Sequence, residues 1–79
     1  MKVLFYGCLA DAIGPELTVD VSGCSIAQLR DRLIAEHPTA QEALGSNRTR
    51  ACIRDAIVHD HHVLDRTDVV EFLPPVSGG

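Results

Sequence analysis

The stretch FLPPVSGG, residues 72–79, holds the most readable chemistry of the chain. Pro74 and Pro75 lack backbone donors and favour an extended geometry, so they should end sheet pairing and direct the last four residues away from the body. Val76, Ser77, Gly78 and Gly79 then make a narrow segment whose last two residues have no side chains, a shape that a partner can draw into a channel with close backbone approach. The expected reactive group is the Gly79 carboxylate. With an ordinary pKa of about 3.5 it is ionised at neutral pH, and a carboxylate is a poor electrophile. Coupling to AMP at the expense of ATP would make it an acyl-adenylate, which a sulfur nucleophile converts to a thiocarboxylate and a lysine amine converts to an isopeptide. The competing reading is an incidental, frayed chain end.

Several elements must hold such a tail in place. Lys2 to Leu9 is a mostly apolar run that predicts a strand inside a sheet, covered on both faces. Ala10 to Pro15 contains Gly14-Pro15, a turn signal, and the alternation of LTVDV, residues 17–21, predicts a half-exposed second strand. After Ser22-Gly23 the period changes. Ile26, Leu29, Leu33 and Ile34 recur at helical spacing, with Arg30, Asp31 and Glu36 on the polar side. Ser25 and Gln28 form a capping-box pair at the start, and Pro38 closes the helix after His37. TAQEALG, residues 39–45, predicts a shorter helix capped by Thr39 and Glu42 and stopped by Gly45. RACIRDAIV and VVEFL read as strands, separated by HDHH and by a tight turn at DRTD. An amphipathic helix lying across one face of a small mixed sheet buries both apolar surfaces, an α+β architecture.

Composition narrows the function. The 79 residues are 46% hydrophobic and 23% charged, ordinary for a small single domain. A formal net charge of −4 argues against nucleic acid, which rewards clustered Lys and Arg. Cys8, Cys24 and Cys52 are odd in number and widely spaced, which predicts free thiols and a cytoplasmic location rather than a disulfide framework. Asp11 interrupts the apolar start too early for a signal peptide, and no run is long enough for a membrane span. No glycine-rich phosphate loop occurs, so no bound cofactor is expected and ATP would be used by an activating partner.

Other clusters carry weaker signals. His59, Asp60, His61 and His62 have metal-ligand chemistry but sit in a turn-like polar stretch, and no metal site is assigned to them. The cysteines lack a His-Asp constellation and read as small packed residues rather than nucleophiles. Arg48, Arg50 and Arg54 make a local basic cluster that could dock an acidic patch or a phosphate, against the plainer reading of a solvated strand edge. Phe72 and Leu73 read first as core, and second as a partner contact because they precede the tail.

The closing EFLPPVSGG, the opening MKVLFYG, the helix SIAQLRDRLIAEHP and the turn before DVVEFLPPV together resemble the small subunit of molybdopterin synthase over nearly the full length. The resemblance implies a ubiquitin-like β-grasp domain over residues 1–75, with first and last strands side by side, and a flexible tail over 76–79. It implies that an adenylyltransferase related to ubiquitin-activating enzymes charges Gly79 and that a persulfide-based sulfurtransferase system supplies sulfur. The tail, Pro74 to Gly79, would then enter the large synthase subunit and pass sulfur to a cyclic pyranopterin precursor, in a heterotetramer. The chain departs from that pattern at Arg54-Asp55, where an asparagine-containing turn is expected, and at DRTD, where Asp-Gly-Asp is commoner. Sulfur carriers of thiamine synthesis and ubiquitin-like protein modifiers share the Gly-Gly ending and stand as alternatives.

Overall fold

The computed structural model describes residues 1–21 and 23–75. Ser22 and the expected tail residues Val76, Ser77, Gly78 and Gly79 lie outside the described residues.

The chain runs β1 (Lys2–Phe5), α1 (Cys8–Ile13), β2 (Glu16–Thr18), α2 (Ile26–Glu36), a 3₁₀ turn (Pro38–Ala40), α3 (Gln41–Gly45), β3 (Arg50–Ile53), β4 (Ala56–Val58) and β5 (Val69–Leu73). Five strands form one mixed sheet in the order β2-β1-β5-β3-β4. The first and last strands run parallel at its centre, Val3 opposite Val70 and Phe5 opposite Phe72, while the other pairings are antiparallel. This is the β-grasp arrangement that the sequence resemblance implies.

Alternation decides which face is buried. Val3, Phe5, Ala51, Ile53, Val70 and Phe72 meet Ile26, Leu29 and Leu33 of α2 in one core. Those three helical residues have no exposed surface, and each contributes about 1.5 to 3 kcal/mol of apolar transfer. Phe5 and Phe72 stack across the central pair, ring centroids 6.0 Å apart. Residues of the opposite register, Leu4, Tyr6, Val69 and Leu73 among them, are only partly covered, so β1 lies inside the sheet as expected but is covered on one face, not two.

α2 starts where the sequence says. Ser25 Oγ accepts from the Gln28 N–H at 3.2 Å, and the Gln28 side chain accepts from the Ser25 N–H at 2.8 Å. The two remaining N–H groups of the first turn are met by a distant loop, Ile26 donating to His62 O and Ala27 to Asp60 O, both at 3.0 Å. The polar HDHH stretch thus serves the helix through its backbone, a role that side-chain chemistry alone does not reveal.

Three expectations need correction. The apolar run Lys2 to Leu9 is not one strand, because Gly7 takes φ 59° and ψ −134° and Cys8–Ile13 winds into a helix that brings Leu9 fully into the core. Leu9 and Ile13 are spaced four apart, a helical signal hidden inside an apolar run. The second strand pairs only over Glu16–Thr18, although its alternation continues to the buried Val19. Thr39 and Glu42 do not cap the short helix. Pro38 opens a 3₁₀ turn that displaces the start of α3 to Gln41, and the preceding Ala40 has no capping side chain.

Candidate functional site

The root of the tail is built by the parallel β1·β5 pair, which ends both strands at one side of the molecule. Leu73 lies opposite Arg50 of β3, so pairing continues to the last strand residue before Pro74. Pro74, with no N–H to give, stops the ladder there. Beside it the chain leaves β1 through Gly7. A Cβ built on Gly7 would stand 3.0 Å from Pro74 Cγ, and φ of +59° already disfavours any side chain. The Gly7 backbone therefore forms a seat for the Pro74 ring, fixing where the tail begins. Pro75 lines a shallow groove of about 400 Å³ with Cys8, Ala12, Thr39, Ala40 and Ala43.

Phe72 and Leu73 divide between two faces. Phe72 is fully buried, and the Arg30 guanidinium lies over its ring, 5.4 Å from the centroid, so its side chain offers no surface to a partner. Leu73 is 37% exposed and does. With Tyr6, Val69 and Ile57 it belongs to the exposed large apolar residues. On the open face of the sheet Tyr6 precedes the Gly7 seat and its hydroxyl donates to Glu71 Oε2 at 2.7 Å. That hydrogen bond, followed by partial loss of solvent and the carboxylate charge, holds the phenol above its ordinary value of 10.0. The open face thus joins an apolar patch to the base of the tail, with a hydrogen-bonded acid near its middle.

Arg30 departs most from its expected place on the polar side of α2. Its side chain is 11% exposed and turns inward. Nη1 donates to Leu44 O at 2.8 Å and Ser46 O at 3.2 Å, and Nη2 donates to Thr49 O at 2.6 Å. Nε faces Asp60 Oδ1 at 3.2 Å as an ion pair, without the alignment of a hydrogen bond. One guanidinium therefore ties α2 to the end of α3, the segment before β3 and the loop after β4. Thr49, fully buried, adds a bond from its hydroxyl to Ala43 O at 2.7 Å. A signal for Arg30 existed: it lies four residues after Ile26 and three before Leu33, at the margin of the apolar stripe.

Other sequence candidates fall apart spatially. Cys8 is exposed beside the tail root, Cys24 is partly covered before α2, and Cys52 is buried in β3. Burial pushes the Cys52 thiol above its ordinary value of 9.0, and the charges of Glu71 and Asp55 add to this. Among the described residues no three His, Cys, Asp or Glu side chains converge as metal ligands. The His59 carbonyl accepts from the His62 N–H at 2.9 Å, which closes the turn. Arg54 and Asp55 form the two-residue β3–β4 turn, both at positive φ, 54° and 64°. Arg48, Arg50 and Arg54 enter no ion pair among the described residues. Among the described residues no helix is long and apolar enough to cross a membrane.

The profile of the ThiS family matches residues 3–79 of this chain. The chain is 30% identical to the molybdopterin synthase sulfur carrier subunit of Escherichia coli K12, over 100% of this chain and 99% of that protein. Its fold is similar to SAMP1 from Haloferax volcanii, with a TM-score of 0.83 at 21% identity, covering 99% of this chain and 97% of that one. It is also similar to a chain in the complex of subunits 1 and 2 of molybdopterin-converting factor from Helicobacter pylori, with a TM-score of 0.68 at 24% identity, covering 99% and 96%.

Proposed function

The chain belongs to the ThiS family, and on that premise we propose that it is a sulfur carrier, the small subunit of a molybdopterin synthase. The observation that carries this reading is the match to the E. coli sulfur carrier subunit, which runs through essentially the whole of both chains at 30% identity. The structure supports it by providing a fixed exit for the tail: the Gly7 seat under Pro74 and the β5 pairing that ends at Leu73.

In this proposal Gly79 is the working residue. Its carboxylate attacks the α-phosphate of ATP in the site of an activating partner, forming the acyl-adenylate and releasing pyrophosphate. The outer sulfur of a sulfurtransferase persulfide then attacks the acyl carbon and AMP leaves with the C–O electron pair, giving an acyl disulfide. A partner thiolate attacks the sulfurtransferase sulfur of that disulfide, forming a new disulfide there and releasing the carrier's sulfur with the S–S electron pair. The resulting thiocarboxylate reaches its acceptor in the large subunit through the narrow tail, Pro74 to Gly79. The likeness to a chain in the H. pylori complex of subunits 1 and 2 supports a large-subunit partner. Leu73 and Tyr6 on the open sheet face offer that partner apolar surface next to the tail, and Val69 lies on the same face at the other end of β5. ATP and the acid-base groups belong to the partners, and the carrier supplies acyl group, tail and docking face.

Deletion of Gly79 tests the reading. The variant should keep its fold, since the deleted residue lies beyond the strand ladder, and should lose sulfur transfer to the pyranopterin precursor. Normal cofactor synthesis by cells carrying only that variant would sink the proposal. Adducts of higher mass on cellular proteins, lost with Gly79, would instead mark a ubiquitin-like modifier.

A further inference from the structure

A second site lies at the far edge of the sheet. A cleft of about 320 Å³ opens between the segment before β3 and the loop after β4, lined by Asn47, Arg50, Ile57, Val58, His59 and His61. Arg30 and Asp60 also line it. They are already paired with one another, and Arg30 spends its other donors on carbonyls 44, 46 and 49, so Arg30 is held in place and balances the half-exposed Asp60. The groups at the mouth are different. In a chain with net charge −4, Arg50 at the cleft has no carboxylate partner among the described residues, and neither does Arg48 in the segment before β3. Next to them Ile57 is 62% exposed, and β4 is the outer strand of the sheet, with one backbone edge open.

From this combination we propose that the cleft and the β4 edge dock an extended, acidic segment of a partner protein, one that alternates carboxylates with apolar residues. An edge strand accepts an extended chain through its backbone, while side chains on alternate positions supply selectivity. Carboxylates meet Arg50, and Arg48 adds attraction at longer range. An apolar neighbour covers Ile57. The opposite charge of the rest of the molecule directs such a segment to this patch and away from others. The site goes beyond the sulfur-carrier reading, because it uses neither Gly79 nor the tail.

The test uses the full chain, ¹⁵N-labelled, at low salt, with a blocked Glu-Val-Glu-Val-Glu peptide as probe. Amide shifts should be confined to residues 47–51 and 56–61, and binding should fall steeply as salt is added. Arg50→Glu should weaken binding about tenfold or more, while Arg66→Glu, the same charge change in a distant turn, should leave it within about twofold, as expected for local pairing rather than net charge. Thermal unfolding of both variants guards against a trivial loss of fold, and Arg50→Gln should fall between Arg50→Glu and the native chain. A chain lacking Gly78 and Gly79 should bind as well as the native one, which separates this site from the tail chemistry. No localised shift at millimolar peptide, equal weakening by Arg50→Glu and Arg66→Glu, or inorganic phosphate moving the same amides as strongly as the peptide would each overturn the proposal.

Discussion

Replacing Arg30 by Met keeps much of the aliphatic length and removes the guanidinium. Three carbonyl oxygens, those of Leu44, Ser46 and Thr49, lose their donor, and Asp60 loses its counter-ion. Bonds from a charged donor contribute about 1.5 to 3 kcal/mol each, but their losses do not add, since Asp60 is 56% exposed and the carbonyl of the partly exposed Ser46 can regain water. Loss of the guanidinium over Phe72 removes about a further 1 kcal/mol. Breaking a buried charge network of this kind costs about 3 to 5 kcal/mol. A chain of this length is held by only about 4 to 12 kcal/mol, so the variant should be barely folded or show a midpoint lowered by about 15 °C or more. Urea and thermal unfolding followed by circular dichroism measure this directly. Arg30→Lys is the sharper control: one ammonium cannot reach three divergent carbonyls, so it should lose most of the same stability. If either variant unfolds within about 0.5 kcal/mol of the native chain, Arg30 does not tie α2 to the segments around it.

Three further outcomes are expected. Gly7→Ala meets both the positive φ and Pro74 Cγ at 3.0 Å; it should destabilise by about 1 to 3 kcal/mol and slow activation of the tail, and unchanged stability in urea would contradict the seat. Arg54→Asn with Asp55→Gly places residues that tolerate positive φ in the β3–β4 turn; the pair should gain about 1 kcal/mol, and a loss in the same assay would mean that Arg54 or Asp55 makes a favourable contact. Cys8 is exposed whereas Cys52 is buried with its thiol held above 9.0; a disulfide reagent at pH 8 should modify Cys8 at once and Cys52 only on unfolding, as read by peptide mapping.

The legible parts of this fold were those with local signals. The Ser25–Gln28 capping box and the Ile26, Leu29, Leu33 stripe marked α2 correctly because start and buried face are both written within four-residue spacings. VVEFL reads as a strand, but that Phe72 enters the core while Leu73 faces out is fixed by the sheet register, and the side-by-side placing of β1 and β5 came from resemblance to a family rather than from any local pattern. What escaped depends on distant partners. Gly7 reads as one more residue in an apolar run until Pro74, far along the chain, is seen against it. Arg30 reads as a polar-face residue because its acceptors come from Leu44, Ser46 and Thr49, whose approach no helix pattern encodes. The HDHH stretch reads as candidate ligands, yet its backbone carbonyls cap α2. At the candidate site the chemistry proposed for Gly79 rests on residue type and position in the sequence, while the surface beside the tail root, Tyr6 bonded to Glu71 beside Leu73, needs the sheet.

The most direct test of the carrier reading is the mass of the C-terminal peptide after incubation of the full chain with an activating enzyme, ATP and a sulfur donor. Fragmentation must locate the change, because oxidation of Met1 or a cysteine shifts mass nearly equally. Sulfur in place of one oxygen at Gly79 is the predicted result; a Gly79 carboxylate that stays unchanged with activating enzymes able to charge a known carrier would contradict it.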